Sequence, residues 1–88
     1  MTRQQVLDLY FMENRAKLID IGAFLDRMKR ATGEEDFRMK AFRNALAELS
    51  TGEPANARRV LLSLSDPTTE PISVATTKAA SGAWPGTK

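Results

Sequence analysis

The sequence predicts an all-α protein: a small three-helix bundle with a long first helix, two shorter helices and an irregular C-terminal arm. Three observations support this fold class. The chain has 88 residues, which suits one small domain. Apolar residues recur at every third or fourth position as far as Leu64, the spacing of helices with a buried face. The sequence Thr-Gly-Glu interrupts this pattern at 32–34 and at 51–53, where glycine can end a helix.

The first helix is expected at about residues 4–31, a segment that has no proline and a single glycine, Gly22. One line of residues follows the helical period along this segment, and we call it the first stripe. Asn14 is its only polar member. The first stripe consists of Leu7, Phe11, Asn14, Leu18, Ile21, Leu25 and Met28.

The second helix is expected at about residues 35–50 and the third at about 54–64, which makes residues 1–66 one helical domain. The acidic residues at 34–36 suit a first helical turn, where they face the positive end of the helix dipole. Pro54 suits the first position of the third helix, because the amide hydrogen that proline lacks would have no partner there. The side chains predicted to face inward are Met39, Phe42, Leu46, Leu49, Ala57, Val60, Leu61 and Leu64.

Residues 67–88 are expected to form an extended or disordered tail, because Thr, Ser, Ala, Gly and Pro dominate and no helical period is present. The alternative is an arm that docks on the body or on a neighbouring chain. Its anchors would be Ile72, Val74 and Trp84, since aromatic and aliphatic side chains often anchor such contacts.

Composition excludes several chemistries. The chain has no cysteine and no histidine, so thiolate metal sites, histidine-based zinc sites and Ser-His or Cys-His catalysis are all ruled out. It also has no phosphate-binding glycine loop and no nucleophile elbow. We therefore predict no catalytic residue, no metal and no cofactor, and no catalysis is evident. No apolar run approaches the roughly 18 residues of a membrane span, and a cytoplasmic location is the expectation.

A second apolar stripe lies almost opposite the first when the helix is drawn at about 100° per residue. This second stripe consists of Leu9, Met12, Ala16, Ile19 and Ala23. Two short helices are not long enough to cover both faces of a long one, and small domains are marginal alone. The sequence therefore predicts a homodimer whose interface is the second stripe, because closed two-fold dimers are the commonest oligomers. Asn14 would then fix register within an apolar seam or form a hydrogen bond to a neighbouring helix, with contact to a ligand as the alternative.

The sequence offers two alternative sites. The first is an edge of the long helix formed by Tyr10, Glu13, Lys17 and Asp20, whose oxygen ligands would suit Mg²⁺ or Ca²⁺, or a His-free enzyme or ligand site. The simpler interpretation is a solvated edge in which Glu13 and Lys17 form an ion pair one turn apart.

The second is an anion patch at the end of the first helical hairpin, for nucleic acid or phosphate. It would consist of Arg27, Lys29, Arg30, Arg38, Lys40 and Arg43. Neighbouring acidic residues and a net charge of only +2 make nucleic acid the weaker interpretation. A helix-turn-helix reader would have to use Asn56, Arg58 and Arg59, which is few polar contacts for a recognition helix. The sequence favours a homodimeric scaffold, adaptor or accessory subunit, with room for a further protein partner.

Overall fold

The computed structural model describes residues 1–65 and 81–87. Over these residues the chain forms three α-helices and no strand: α1 (Arg3–Arg30), α2 (Phe37–Glu48) and α3 (Asn56–Leu64). The predicted all-α class and the predicted order of one long and two shorter helices are confirmed. The chain divides into two compact units, Met1–Gly33 with α1 and Glu34–Lys88 with α2 and α3.

α1 begins at Arg3 because Thr2 and Gln5 satisfy amide groups that the first helical turn leaves without partners. Thr2 Oγ1 accepts a hydrogen bond from the Gln5 amide at 3.1 Å, and Gln5 Oε1 accepts one from the Thr2 amide at 2.8 Å. The helix ends at Arg30, and the amide of Ala31 donates to the Arg27 carbonyl at 3.0 Å. The observed bounds differ by one residue from the predicted 4–31.

α2 begins later than the predicted residue 35, at Phe37, because Asp36 is its N-cap. The Asp36 carboxylate accepts a hydrogen bond from the Arg38 amide at 2.9 Å, and this bond requires Asp36 to remain outside the helix in an extended conformation. The acidic residues at 34–36 therefore precede the first turn, which contains no acidic residue. At the other end α2 stops at Glu48, two residues before the predicted end.

α3 begins at Asn56, so the prediction that Pro54 opens this helix is wrong. Ala55 has φ 61° and ψ 49°, which is the left-handed conformation, and a chain in that conformation cannot continue a right-handed helix. Such a conformation costs a non-glycine residue about 1 kcal/mol or more. The Thr-Gly-Glu segments do use glycine as expected, since Gly33 has φ 105° and Gly52 has φ 75°.

α2 packs against α3, which supplies two helices of the predicted bundle. Met39, Ala41 and Ala45 are buried, while Phe42, Leu46, Val60 and Leu64 are half-buried. Leu49 and Leu61, which the helical period assigns to the inside, are exposed, as is Ala57. Leu49 is the C-cap of α2, one residue beyond its last helical residue.

The C-terminal residues 81–87 return to the end of α3. The Trp84 amide donates a hydrogen bond to the Leu64 carbonyl at 3.0 Å, and the Thr87 amide donates to the Trp84 carbonyl at 3.1 Å. The bond from Trp84 satisfies the Leu64 carbonyl, which the last turn of α3 would otherwise leave without a helical partner. The part of the predicted tail that contains Ile72 and Val74 lies outside the described residues.

Candidate functional site

α1 presents an exposed apolar surface of unusual extent. All 28 of its residues are described and none of them is buried. The second stripe is open to solvent at its large side chains: Leu9 is 64%, Met12 is 69% and Ile19 is 54% exposed. Ala16 is exposed as well, and Ala23 is half-buried. The residues predicted as an interface are thus accessible in the single chain.

The first stripe divides into two parts. Leu7, Phe11 and Leu18 are exposed, whereas Ile21, Leu25 and Met28 are half-buried. Large apolar side chains in water lose about 1.5–3 kcal/mol each relative to burial. The N-terminal part of α1, as far as Asp20, therefore carries two exposed apolar faces, and its sequence places them on opposite sides of the helix.

Asn14, in the middle of the first stripe, is exposed and bonds to its own helix. Its Nδ2 group donates to the Tyr10 carbonyl at 2.9 Å. An amide nitrogen carries two hydrogens and the amide oxygen accepts as well. This bond occupies one hydrogen, so the second hydrogen and Oδ1 remain chemically able to bind another amide.

The edge of α1 predicted as an alternative ligand site contains an exposed ion pair. Lys17 Nζ lies 3.0 Å from a Glu13 carboxylate oxygen, one helical turn away. Such a pair contributes a few tenths of a kcal/mol, as the simpler interpretation of this edge expects. Tyr10 and Asp20 lie on the same helix and are exposed. Within residues 1–65 and 81–87, no group of three or more carboxylates is arranged to hold a metal ion.

The residues of the predicted anion patch belong to different units. Arg27, Lys29 and Arg30 occupy the last turn of α1, where positive charge favours the helix dipole. In the second unit Arg43 makes a bidentate ion pair with Glu35, at 2.8 Å for each hydrogen bond. Arg38 lies 2.7 Å from Asp36, and Lys40 is exposed between them in sequence. Two of the predicted anion-binding groups are therefore already neutralised by acidic neighbours.

These two ion pairs shift the acidity of the carboxyl groups. Hydrogen bonds from the Arg43 side chain hold the pKa of Glu35 below its ordinary value of 4.5. The Arg38 side chain, and then the Arg38 amide, hold the pKa of Asp36 below its ordinary value of 3.8. Both groups therefore release their protons more readily in the folded chain than in the unfolded chain.

A depressed folded-state pKa stabilises the fold at pH values above the ordinary pKa, and this stabilisation disappears as the pH falls through the lowered value. We expect the α2–α3 unit to lose stability as the pH falls below about 5 and through the lowered pKa values of Glu35 and Asp36. Urea denaturation across this range measures the loss. The Glu35→Gln/Asp36→Asn variant should show a flatter pH dependence, whereas Glu34→Gln, which removes a carboxylate from the same segment, should retain the wild-type slope. A wild-type slope in the double variant would contradict the assignment.

Arg59 has a structural role that the sequence analysis missed. Its Nη2 donates to the carbonyl of Glu48, the last residue of α2, at 2.9 Å and also bonds the Asn56 side chain. Its Nη1 donates to the carbonyls of Glu53, at 2.7 Å, and of Pro54. Nε lies 3.3 Å from the Glu48 carboxylate, an ion-pair distance, but within the described residues it has no aligned hydrogen-bond acceptor. Only 20% of the side chain is exposed.

The Arg59 contacts weaken the helix-turn-helix alternative. The recognition helix of a helix-turn-helix protein must present its polar side chains to the groove of DNA. Here the Arg59 guanidinium and the Asn56 side chain both bond within the α2–α3 connection. An arginine four residues after the connection gives no distinctive sequence signal, because its carbonyl partners depend on the path of the loop.

The chain matches no protein-family model, no curated protein and no solved structure. In the part of the chain that the structure describes, none of the helices has the length and apolar character needed to cross a lipid bilayer. The residues of α1, α2 and α3 are therefore the only basis for a functional proposal.

Proposed function

We propose that the protein is a homodimeric interaction module in which α1 pairs with α1 of a second copy. It would act as a scaffold, adaptor or accessory subunit and would perform no catalysis of its own. The observation that carries this proposal is the exposure of large apolar side chains along α1. Patches of this kind on soluble proteins mark contact surfaces for other macromolecules.

An isolated helix in water has little stability of its own. Most helical stability in proteins comes from packing of an apolar face rather than from the intrinsic propensity of the residues. α1 has 28 residues and would be about 42 Å long, yet it buries none of them. A partner helix would cover Leu, Ile, Phe and Met side chains that gain about 1.5–3 kcal/mol each on full burial. Association would thus supply the packing that α1 lacks.

A second copy of the same chain is the favoured partner. Two-fold dimers are the commonest oligomers, and a helix with its own regular apolar stripe is complementary to itself. The second stripe, which the sequence predicts as the interface, provides one of two possible arrangements. The competing arrangement uses the first stripe. We also propose a cytoplasmic location, although the dimer does not depend on it.

The alternatives receive less support from the contacts. Nucleic-acid or phosphate binding needs unpaired basic side chains, but Arg38 and Arg43 are both engaged with carboxylates. A ligand or divalent-cation site at the Tyr10 edge needs free carboxylates, but Glu13 is paired with Lys17. No observation favours either one over association.

The proposal is tested by measuring the solution mass of the full chain over a range of concentrations. We expect a dimer at micromolar concentration, and we expect the Leu18→Glu/Ile19→Glu variant to be monomeric. These adjacent residues place one charge on each stripe, and both are exposed in the single chain, so the α2–α3 unit should be unaffected. Lys40→Glu gives the same change in net charge on an exposed position of α2 and should remain dimeric. A wild-type chain that stays monomeric at all concentrations would refute the proposal.

A further inference from the structure

We infer that the two α1 helices pair in parallel through the first stripe, with Asn14 facing Asn14 of the second copy. This inference rests on the proposed function and adds the face and the direction of pairing. It differs from the expectation drawn from the sequence, which assigned the interface to the second stripe. Four features of α1 carry it: the spacing of the stripe, the free amide groups of Asn14, the charges that flank each stripe and the exposure of its N-terminal part.

The spacing of the first stripe is that of a coiled coil. Its members follow one another at alternating steps of four and three residues from Leu7 to Met28, the heptad pattern in which two helices pack side chains of one into gaps of the other. The second stripe has the same type of spacing but is shorter, and the next position of its pattern is the charged residue Asp26. The first stripe thus offers the longer seam.

The direction of pairing follows from Asn14. In a parallel pair each heptad position faces the same position of the other helix, so the two Asn14 side chains meet. Each can keep its bond to the Tyr10 carbonyl and use its second hydrogen and Oδ1 to bind the other amide. In the antiparallel pair that overlaps the whole stripe, Asn14 faces Leu18 instead. These polar atoms would then be buried without partners, which is unfavourable.

The flanking charges agree with a parallel pair. In the parallel arrangement, residues five apart on the two helices lie beside the seam. Arg3 then meets Asp8 of the second copy, and Tyr10 meets Arg15, an aromatic ring beside a guanidinium. In the antiparallel arrangement, Arg15 meets Arg15 and Lys17 meets Lys17 near the two-fold axis. Like charges at facing positions oppose that arrangement.

The charges that flank the second stripe disfavour pairing along it. A parallel pair along it places Asp8 beside Glu13 of the second copy, two carboxylates, although it also places Arg15 beside Asp20. An antiparallel pair over the same residues places Glu13 against Glu13 and Arg15 against Arg15. The ion pair of Glu13 with Lys17 moderates the glutamate contacts, but the arginine contact has no such compensation. The first stripe in parallel is the arrangement without a like-charge contact near its seam.

The exposure of the first stripe indicates where pairing is strongest. Leu7, Phe11, Asn14 and Leu18 are all exposed in the single chain, whereas the members from Ile21 onwards are half-buried. A second helix therefore covers the most new apolar surface over the N-terminal part of α1.

The face of pairing is tested by single substitutions at two adjacent residues. Leu18 lies on the first stripe and Ile19 on the second, and each is more than half exposed. We expect Leu18→Glu to raise the dimer dissociation constant by at least about 100-fold, because two leucines leave the interface and two charges enter it. Ile19→Glu should change the constant less than about threefold. Sedimentation equilibrium measures both constants.

The opposite pattern, dissociation by Ile19→Glu alone, would overturn the inference and leave the homodimer proposal standing. The second stripe would then be the interface. Absence of a dimer in the wild-type chain would refute the proposed function itself. The two failures are therefore distinguishable in one series of measurements.

The direction of pairing is tested by disulfide formation, since the chain has no other cysteine. In the parallel pair the two residues at position 7 face each other, so Leu7→Cys should form a covalent dimer under mild oxidation. In the antiparallel pair position 7 faces position 25, and the two cysteines would be about 27 Å apart along the helix. Leu9→Cys on the second stripe is the matched control and should remain largely uncoupled. Efficient coupling through Leu9→Cys, or none through Leu7→Cys in a dimeric chain, would contradict a parallel first-stripe pair.

Discussion

Replacing Arg59 by alanine is expected to lower the free energy of unfolding of the α2–α3 unit by about 2–4 kcal/mol. The guanidinium donates to three backbone carbonyls and one side chain around the α2–α3 connection. Hydrogen bonds that involve a charged group contribute about 1.5–3 kcal/mol each at most, and bonds that share one guanidinium do not add fully. The estimate therefore lies below their sum. Urea denaturation followed by circular dichroism measures the change.

Two further variants separate the role of the guanidinium from that of the charge. Arg59→Lys keeps the positive charge but loses the planar fork that reaches several acceptors, so we expect it to recover less than half of the lost stability. Arg58→Ala removes the neighbouring arginine, which is exposed, and should change stability by less than about 0.5 kcal/mol. If Arg59→Ala and Arg58→Ala had equal effects, the Arg59 contacts would not stabilise the connection.

Replacing Met39 by alanine is expected to destabilise the same unit by about 2–4 kcal/mol. Among residues 1–65 and 81–87, Met39 is the only large apolar side chain that is buried, at 4% exposure, and its buried companions are the alanines at positions 41 and 45. Truncation of a buried methionine removes apolar contacts and leaves a cavity. Because the buried core is so small, few neighbouring side chains can move into that cavity. The variant should show a clearly lower midpoint of urea denaturation.

Met12→Ala provides a control with the same chemical change at an exposed position. Met12 is 69% exposed on α1, so its truncation in dilute solution should change stability by less than about 0.5 kcal/mol. A Met39→Ala variant that unfolds at the same urea concentration as Met12→Ala would show that Met39 is not part of a stabilising core.

The helices were predictable because their signals are local. The apolar period of α1 extends over many turns, and glycine at positions 33 and 52 adopts the positive φ that the helix ends require. The Thr2–Gln5 capping pair is also a recognisable sequence signature, and it indicates a helix that starts at Arg3. Patterns contained within a few turns therefore identified each helix and its approximate bounds.

The errors in the prediction have non-local or competing causes. Proline at position 54 is compatible with a first helical turn, but the conformation of Ala55 delays the helix to Asn56. The helical period assigns Leu61 to the inner face of the third helix. It does not indicate whether another element lies close enough to cover that side chain. The partners of Arg59 depend on the path of the loop between two helices. The exposure of Leu61 and the partners of Arg59 depend on contacts between separate elements, which the local pattern of a sequence does not indicate.

The residues of the exposed apolar surface were predictable from the sequence, but the stripe that forms the interface was not. Both stripes of α1 follow from the sequence, and the structure shows that their large side chains are accessible as far as Ile19. Exposure alone does not choose between the stripes, since Met12 and Leu18 on opposite faces are exposed to nearly the same degree. The amide groups of Asn14 and the charges beside each seam favour the first stripe.

The distribution of aromatic residues gives each unit its own optical reporter. Tyr10 on α1 is the only tyrosine, and Trp84, whose amide bonds to the end of α3, is the only tryptophan. Selective excitation of the indole at long wavelength would therefore report on events at the α3 end without a contribution from α1. Phenol emission or its anisotropy would report on α1. Self-association and unfolding of the second unit could then be followed separately in the unlabelled wild-type protein.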